Sequence, residues 1–332
     1  MEVFEAPKRY TRWWIRMGVV KVGVVGVGHL GVHHARIYAE LLGAELVGVV
    51  DKDEQRAVSV ARQYRTAPFT DYLEFFEVCK PDAVSVVVPT TLHYEVVKEA
   101  LERGIHVLVE KPVTTTVEEA MDLLETAKRR NLVLQVGHIE RFNPGVQFLR
   151  SRIKDPILIH CQRMSPFSNR NNDVGVVLDL MIHDIDIVLS LVESSVRDIS
   201  ACGSSVFTDQ EDVASVQMSF RNGCVANLLA SRVSHKRIRE LQLVQRDSYL
   251  VLNYDSQEIS IYRTYRDERS SNLVETIEKP LIPKNDQLKQ ELAHFLYCVH
   301  EGRPPLVGIE DGKRALEVAI EVVNKIKSKV AV

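Results

Sequence analysis

A chain of 332 residues, 45% of them hydrophobic, is long enough to bury two cores of ordinary domain size, so two domains are expected. A net charge of −3, from 42 Lys and Arg against 45 Asp and Glu, argues against nucleic acid as the main partner, because phosphate backbones demand a basic face. No apolar run approaches the roughly 18 to 20 residues that span a bilayer, and no signal peptide opens the chain, so a cytoplasmic protein without membrane partners is expected.

Residues 1–16 form an extension that carries Lys8, Arg9, Arg12 and Arg16 beside Tyr10, Trp13 and Trp14. A basic aromatic arm can touch a membrane or a partner, but Met17 sits where the first strand begins and offers an alternative start, so no function is assigned here. From 17 to 137 short apolar runs alternate with amphipathic helices, the pattern of a parallel sheet covered on both faces. The expected strands are Val19–Val25, Ala44–Val50, Ala83–Val88, His106–Val109 and Leu132–Val136. The expected helices are His33–Leu42, Asp53–Tyr64, Tyr72–Val78, Tyr94–Glu102 and Val117–Arg129.

The first strand runs directly into glycines at 26, 28 and 31, with His29 and Leu30 between them. Such a Gly-x-Gly-x-x-Gly turn, closing a strand and opening a helix, lets backbone amides and a helix N-terminus meet a pyrophosphate. The second strand ends in Asp51, twenty residues beyond Gly31. A carboxylate there accepts from the ribose hydroxyls of NAD and repels the extra phosphate of NADP, although Lys52 beside it softens that preference. Right-handed crossovers place ligands at the strands' carboxyl ends. Polar residues gather there: Pro89, Thr90 and His93, then Glu110, Lys111 and Pro112, then Gly137 and His138.

From 138 to 332 the period changes to alternation, as in Ser215–Phe220, Val225–Ala230 and Leu241–Gln245, with a hairpin signal at Asn222 and Gly223. This half reads as an α+β domain with a large, open, mostly antiparallel sheet, one face on helices at Val174–Leu191, Leu288–His300 and Asp311–Lys329. The other face needs a cover, which a second copy of the chain supplies in a homodimer or homotetramer. Five cysteines, at 79, 161, 202, 224 and 298, form no Cys-x-x-Cys pair and read as reduced thiols.

Two constellations carry acid/base chemistry. Lys111, held between Glu110 and Pro112 at a strand end, lies beside the nicotinamide end of a bound dinucleotide and can hydrogen-bond a substrate hydroxyl or exchange its proton. Asp179 and His183, four apart on an expected helix, share one face, so the carboxylate can orient the imidazole. His and Asp at this spacing can also share a metal ion, but no further His or Cys cluster completes a ligand set. Arg163, Arg170, Lys236, Arg237 and Arg239 bracket that helix in sequence and could meet a diphosphate.

These motifs, in order, resemble the Gfo/Idh/MocA family of oxidoreductases. The matching features are the glycine turn, Pro89 and Thr90 with His93, Glu110–Pro112, Gly137 with Arg141, Phe142 and Pro144, and Gly175 with Asp179 and His183. The stretch from Phe295 through Gly302, Pro304, Asp311 and Gly312 is also similar. The resemblance implies a Rossmann domain, an α/β domain whose open sheet serves oligomerisation, and hydride transfer from a sugar carbinol to NAD. Lys111 and His183 then flank the reacting hydroxyl while Asp179 holds the histidine, with either of the two as base. Val136–Pro144 and Val174–Asp186 look nearest to nucleotide-sugar dehydrogenases. That implies oxidation of the 3-hydroxyl of UDP-N-acetylglucosamine for amino-sugar lipid A synthesis, with His138 and Arg141 added to the substrate contacts. A free aldose, an inositol or a glucose-fructose pair are alternative substrates of the same chemistry. A non-catalytic sensor of this fold and a metal-dependent hydrolase are the other classes open.

Overall fold

Lys21 is the one exposed residue in Val20–Val25, so this strand (β1) is covered on both faces and must lie inside a sheet. The structure, a computed structural model, describes residues 18–168, 174–266 and 273–330. The extension at 1–16, Met17 and Arg170 lie outside them. Two units are distinguished: residues up to Ile139 with Asp286–Lys313, and Glu140–Asn285 with Arg314 onward.

In the first unit β1 is followed by α1 (Gly31–Glu40), β2 (Ala44–Val50), α2 (Glu54–Tyr64), β3 (Ala67–Phe69), α3 (Tyr72–Cys79), β4 (Ala83–Val86), α4 (His93–Glu102), β5 (His106–Glu110), α5 (Val117–Arg130) and β6 (Leu134–Gly137). The six strands are all parallel, in the order β3-β2-β1-β4-β5-β6, which is the Rossmann arrangement. The helices start where their capping residues predict. Asp53 accepts from the Arg56 amide, Asp71 from Leu73 and Glu74, and Thr116 with Glu119 closes a capping box, each cap contributing about 1 kcal/mol.

The differences from expectation have local causes. β6 begins at Leu134 rather than Leu132, because Asn131 closes α5 in the left-handed conformation and the Leu132 amide bonds back to Ala127. β3 gives little periodic signal: it is three residues long, sits at the sheet edge and contains Pro68.

In the second unit α6 (Pro144–Arg152) and β7 (Leu158–Met164) precede a helical segment expected to be continuous over 174–191. It starts instead as a π-helical turn, Val177–Met181, and becomes α-helical only at α7 (Ile182–Leu191). The strands β8 (Val196–Ser204), β9 (Val213–Phe220), β10 (Val225–Ser231), β11 (Ile238–Gln245), β12 (Ser248–Asn253), β13 (Glu258–Arg266) and β14 (Leu273–Glu278) join β7 in one open sheet. Its order is β14-β13-β12-β11-β7-β10-β9-β8, antiparallel except for the β7·β10 pair. Alternation along β7 sends Ile159, Cys161 and Arg163 inward, where Ile159 and Cys161 join a core with Ile182, Ile185 and Leu189 of α7. The outward residues include His160 and Gln162, bonded at 2.8 Å, and Gln217 bonded to Asn227 at 3.1 Å.

Helix α8 (Gln287–Glu301) returns to the first unit, where Leu288, Leu292, Phe295 and Leu296 pack into the core containing Val22, Val24 and Ile37. Helix α9 (Ile309–Val330) is divided between the units after Lys313. Among the described residues no helix is long and apolar enough to cross a membrane.

Candidate functional site

In the first unit the turn after β1 requires its glycines for two separate reasons. Gly26 has φ +91° and a Cβ there would stand 2.5 Å from the Val87 carbonyl oxygen, while a Cβ on Gly31 would overlap the Gly26 carbonyl. Gly28 is different: a Cβ on it meets nothing within 4 Å. Tight packing accounts for Gly26 and Gly31, but at Gly28 the backbone faces open space. Helix α1 begins beside it with no side-chain cap and no acidic residue in its first turn; its Val32 and His33 amides bond to the Gly28 and Leu30 carbonyls, so an anion here would meet the amides of the turn itself and the positive end of the helix. This cradle fits the pyrophosphate of a dinucleotide, with exposed His29 and Leu30 at its lip.

Asp51 is tied to the same turn, accepting from the Val27 amide at 3.1 Å and from the Asp53 amide at 3.0 Å. Arg56 of α2 also donates to both its oxygens, at 3.1 and 3.2 Å, and pairs with Asp53. Lys52, singled out from the sequence, is exposed, and Arg56, which the sequence did not single out, is a second cation at Asp51. A basic residue one helical turn past the Asp51 tip was the available signal.

At the ends of β4 and β5 the buried His93 ring spans two backbone carbonyls, Val88 and Pro112, each at 2.8 Å. Burial holds its pKa below the ordinary histidine value, against the pull of those carbonyls. His93 therefore staples the Pro89 and Thr90 loop to the Glu110–Pro112 turn. The Lys111–Pro112 peptide is cis, Lys111 is half-buried, and the Lys111 amide donates to Glu110 Oε2 at 3.3 Å. His138 is buried one residue beyond β6.

In the second unit Asp179 lies in the π-helical turn and His183 in the first turn of α7, both half-buried. An i→i+5 turn is wider than an α turn, yet residues four apart still fall near one line along the helix. Such turns recur at functional sites. Glu211 organises its start: its carbonyl accepts from Val176 at 2.9 Å, its carboxylate accepts from Val177 at 3.2 Å, and it occupies the space a Cβ on Gly175 would fill.

The neighbouring acids face inward and have other work. Asp184 takes the Arg163 guanidinium in two bonds of 2.9 Å, and Asp186 takes Arg141 in bonds of 2.6 and 2.8 Å, all four residues buried. Arg163 also meets Glu140 at 3.0 Å and lies 5.0 Å over the Tyr254 ring. Burial opposes its charge, but Asp184 and Glu140 outweigh that and keep it protonated. Arg237 is paired with Asp255 at 2.8 and 2.9 Å.

Arg239, directly opposite Arg163 in the β11·β7 register, is half-buried with Glu140 4.0 Å away. Burial, then Arg163 and Arg237, push its pKa below the ordinary arginine value. Lys236 is exposed at the start of the same stretch. Among the described residues no group of three or more His, Cys, Asp or Glu is placed to hold a metal ion.

Comparison with known proteins agrees with both units. The profile of an oxidoreductase family with an NAD-binding Rossmann fold, Gfo/Idh/MocA, matches residues 20–138, and that family's C-terminal alpha/beta domain matches 149–332. UDP-N-acetylglucosamine 3-dehydrogenase of Acidithiobacillus ferrooxidans is 36% identical over 281 residues, covering 83% of this chain and 88% of its own. A solved structure of that enzyme superposes with a TM-score of 0.87 at 35% identity, over 94% of this chain and 99% of its own. The scyllo-inositol 2-dehydrogenase (NAD(+)) of Bacillus subtilis is 29% identical over 298 residues, covering 84% and 86%.

Proposed function

Because the chain belongs to the Gfo/Idh/MocA family of NAD-binding oxidoreductases, we propose that it oxidises the 3-hydroxyl of UDP-N-acetylglucosamine to a ketone, with NAD rather than NADP as partner. The observation that carries this reading is likeness over nearly the whole chain to the Acidithiobacillus ferrooxidans enzyme, joined to an Asp179 and His183 pair and a Glu110–Pro112 turn. The ketone is the substrate an aminotransferase needs to install an amine, which fits a place in amino-sugar lipid A synthesis.

When bound, NAD supplies the hydride acceptor at carbon 4 of its nicotinamide. The amides from Gly28 to Gly31 hold its pyrophosphate, those of Gly26 and Val27 being bonded to Val50 and Asp51, while Asp51 takes its ribose hydroxyls and Pro89, Thr90, His93 and Glu110 shape the wall near its other end. Lys52 and Arg56 moderate the exclusion of a 2′-phosphate. Lys111 and His183 are the acid/base groups: one polarises the carbinol oxygen, the other removes its proton as the hydride departs, and Asp179 orients the imidazole. Arg239, with Lys236 and Arg170, neutralises the diphosphate, while Arg141 and Arg163, fixed by Asp186 and Asp184, and His138 and Arg237 frame the sugar and nucleotide contacts. The polar outward face of the C-terminal sheet is covered by a second copy, giving a dimer or tetramer.

Incubation of the protein with UDP-N-acetylglucosamine and NAD tests the reading. NADH absorbance should rise as the sugar loses two hydrogens, and UDP alone should raise the melting temperature. Turnover of scyllo-inositol with no response to UDP would replace the nucleotide sugar by a free polyol.

A further inference from the structure

Helix α8 carries a carboxyl on the side it turns toward the core. Glu291, between Leu288 and Leu292, is fully buried, and neither of its carboxyl oxygens meets a hydrogen-bond partner among the described residues. Its backbone carbonyl accepts from Gln135 Nε2 at 3.3 Å, which ties this helical turn to β6. The titratable groups facing it are Glu110 of β5 and Tyr38 of α1, whose hydroxyl is paired with Ser85 at 2.8 Å. His34 of α1 adjoins Glu110, its Nε2 lying 3.4 Å from Glu110 Oε1.

Gln135, which reaches the Glu291 turn, and Gly137, over which the Glu110 carboxyl lies, are two apart on β6 and share one face, so the two buried carboxyls stand on the same side of the sheet, where ionising both at neutral pH is strongly disfavoured. The surroundings decide which one does. Glu110 accepts the Lys111 amide, has the His34 ring beside it and feels the Lys111 ammonium. A Cβ on Gly137 would press to 2.9 Å from its carboxyl carbon, so the bare glycine leaves room for that group. Burial works against its charge, yet His34 and Lys111 outweigh burial and hold its pKa below the ordinary range. Glu291 has no such donors, and burial followed by the charge on Glu110 drives its carboxyl far above the usual range.

We propose that Glu291 is a positioning residue: an uncharged carboxylic acid that leaves Glu110, bonded to the Lys111 amide, as the ionised one of the two, and so fixes the field in which Lys111 handles a proton. This rests on the reading of Lys111 as an acid/base group.

The sign of the pH effect follows. A carboxyl protonated when folded and ionised when unfolded releases a proton on unfolding, so its contribution is full at acid pH and lost as pH rises through the folded-state value. In the full chain, Glu291→Gln removes that proton release, and Glu291→Met does so with an apolar side chain of similar length. From pH 5 to 8 the unfolding constant of the unsubstituted protein, relative to either variant, should grow by up to about tenfold per pH unit. Melting temperatures should therefore diverge, with the variants gaining. In NADH formation the alkaline limb of the Glu291→Gln pH profile should move to lower pH, because the variant cannot acquire at alkaline pH the second anion that would strengthen the hold of Lys111 on its proton, a change that simple loosening of the helix does not produce.

A constant melting difference, a difference that turns against the variants as pH rises, or loss of soluble protein for both variants overturns the proposal. The unfolding measurement needs no turnover. Protein that makes no NADH from the UDP-sugar defeats the substrate reading alone, whereas active protein with a flat melting difference defeats this inference alone.

Discussion

Gly28→Ala separates a glycine kept for packing from one kept for a ligand. The added methyl meets no atom within 4 Å and the backbone is outside the left-handed region, so the folded chain accepts it without strain. Stability should then stay level or rise by up to about 1 kcal/mol, through the lower entropy of the unfolded chain. Cofactor binding should behave differently, because the methyl fills the open space through which a phosphate reaches the turn amides. Losing one hydrogen bond to a charged group costs about 1.5 to 3 kcal/mol, which weakens the NAD dissociation constant by roughly 10-fold to 150-fold. Calorimetric titration with NADH, alongside melting curves of the same preparation, reads both quantities. Gly31→Ala is the control: its methyl would overlap the Gly26 carbonyl, so it should lose melting temperature and binding together. If Gly28→Ala binds NADH within twofold of the unsubstituted protein and melts alike, the backbone at Gly28 does not face the cofactor and the cradle is misassigned.

Substituting Lys111 by Met or His183 by Asn should lower kcat by about 10²- to 10⁴-fold while NADH affinity stays within error; equal losses in binding would mean that these side chains hold cofactor rather than move a proton. Asp51→Asn, which removes the carboxylate charge between Lys52 and Arg56, should shift the ratio of kcat/KM toward NADP, and an unchanged ratio would show that Asp51 does not read the ribose. His294 of α8 is buried, accepts from the Leu306 amide at 2.9 Å, and is held by burial at a pKa of about 4. Being neutral when folded, it contributes stability that is present above the ordinary histidine value of about 6.5 and lost as pH falls toward 4, in all about 3 kcal/mol. His294→Gln should flatten acid unfolding in that window, and an identical acid limb would contradict the assignment.

The first unit was legible because its signals are local. A strand buried on both faces writes an unbroken run such as Val22–Val25, and capping residues such as Asp53, Asp71 and Thr116 mark helix starts within a residue. Asp179 and His183 are read from sequence only by their four-residue spacing, and the π-helical turn that carries Asp179 leaves no periodic trace in so short a stretch. Pairings between distant residues could not be read. Arg163 looks like a candidate diphosphate ligand in sequence and Arg141 like a substrate contact, and only the folded chain shows Asp184 and Asp186 engaging them. Nor does periodicity show that Asp286–Lys313 joins the first unit. Nothing in the sequence sets Glu291 apart within the expected helix Leu288–His300, because only burial distinguishes it from an exposed glutamate.

The fate of the hydrogen on carbon 3 bears most directly on the proposed chemistry. UDP-N-acetylglucosamine deuterated at that carbon, incubated with the protein and NAD, should yield a 3-keto sugar without deuterium and NADH that carries it, formed more slowly than from unlabelled sugar. NADH free of deuterium, or a product that keeps the label at carbon 3, would contradict direct transfer from that position and with it the assignment of Lys111 and His183 to that hydroxyl.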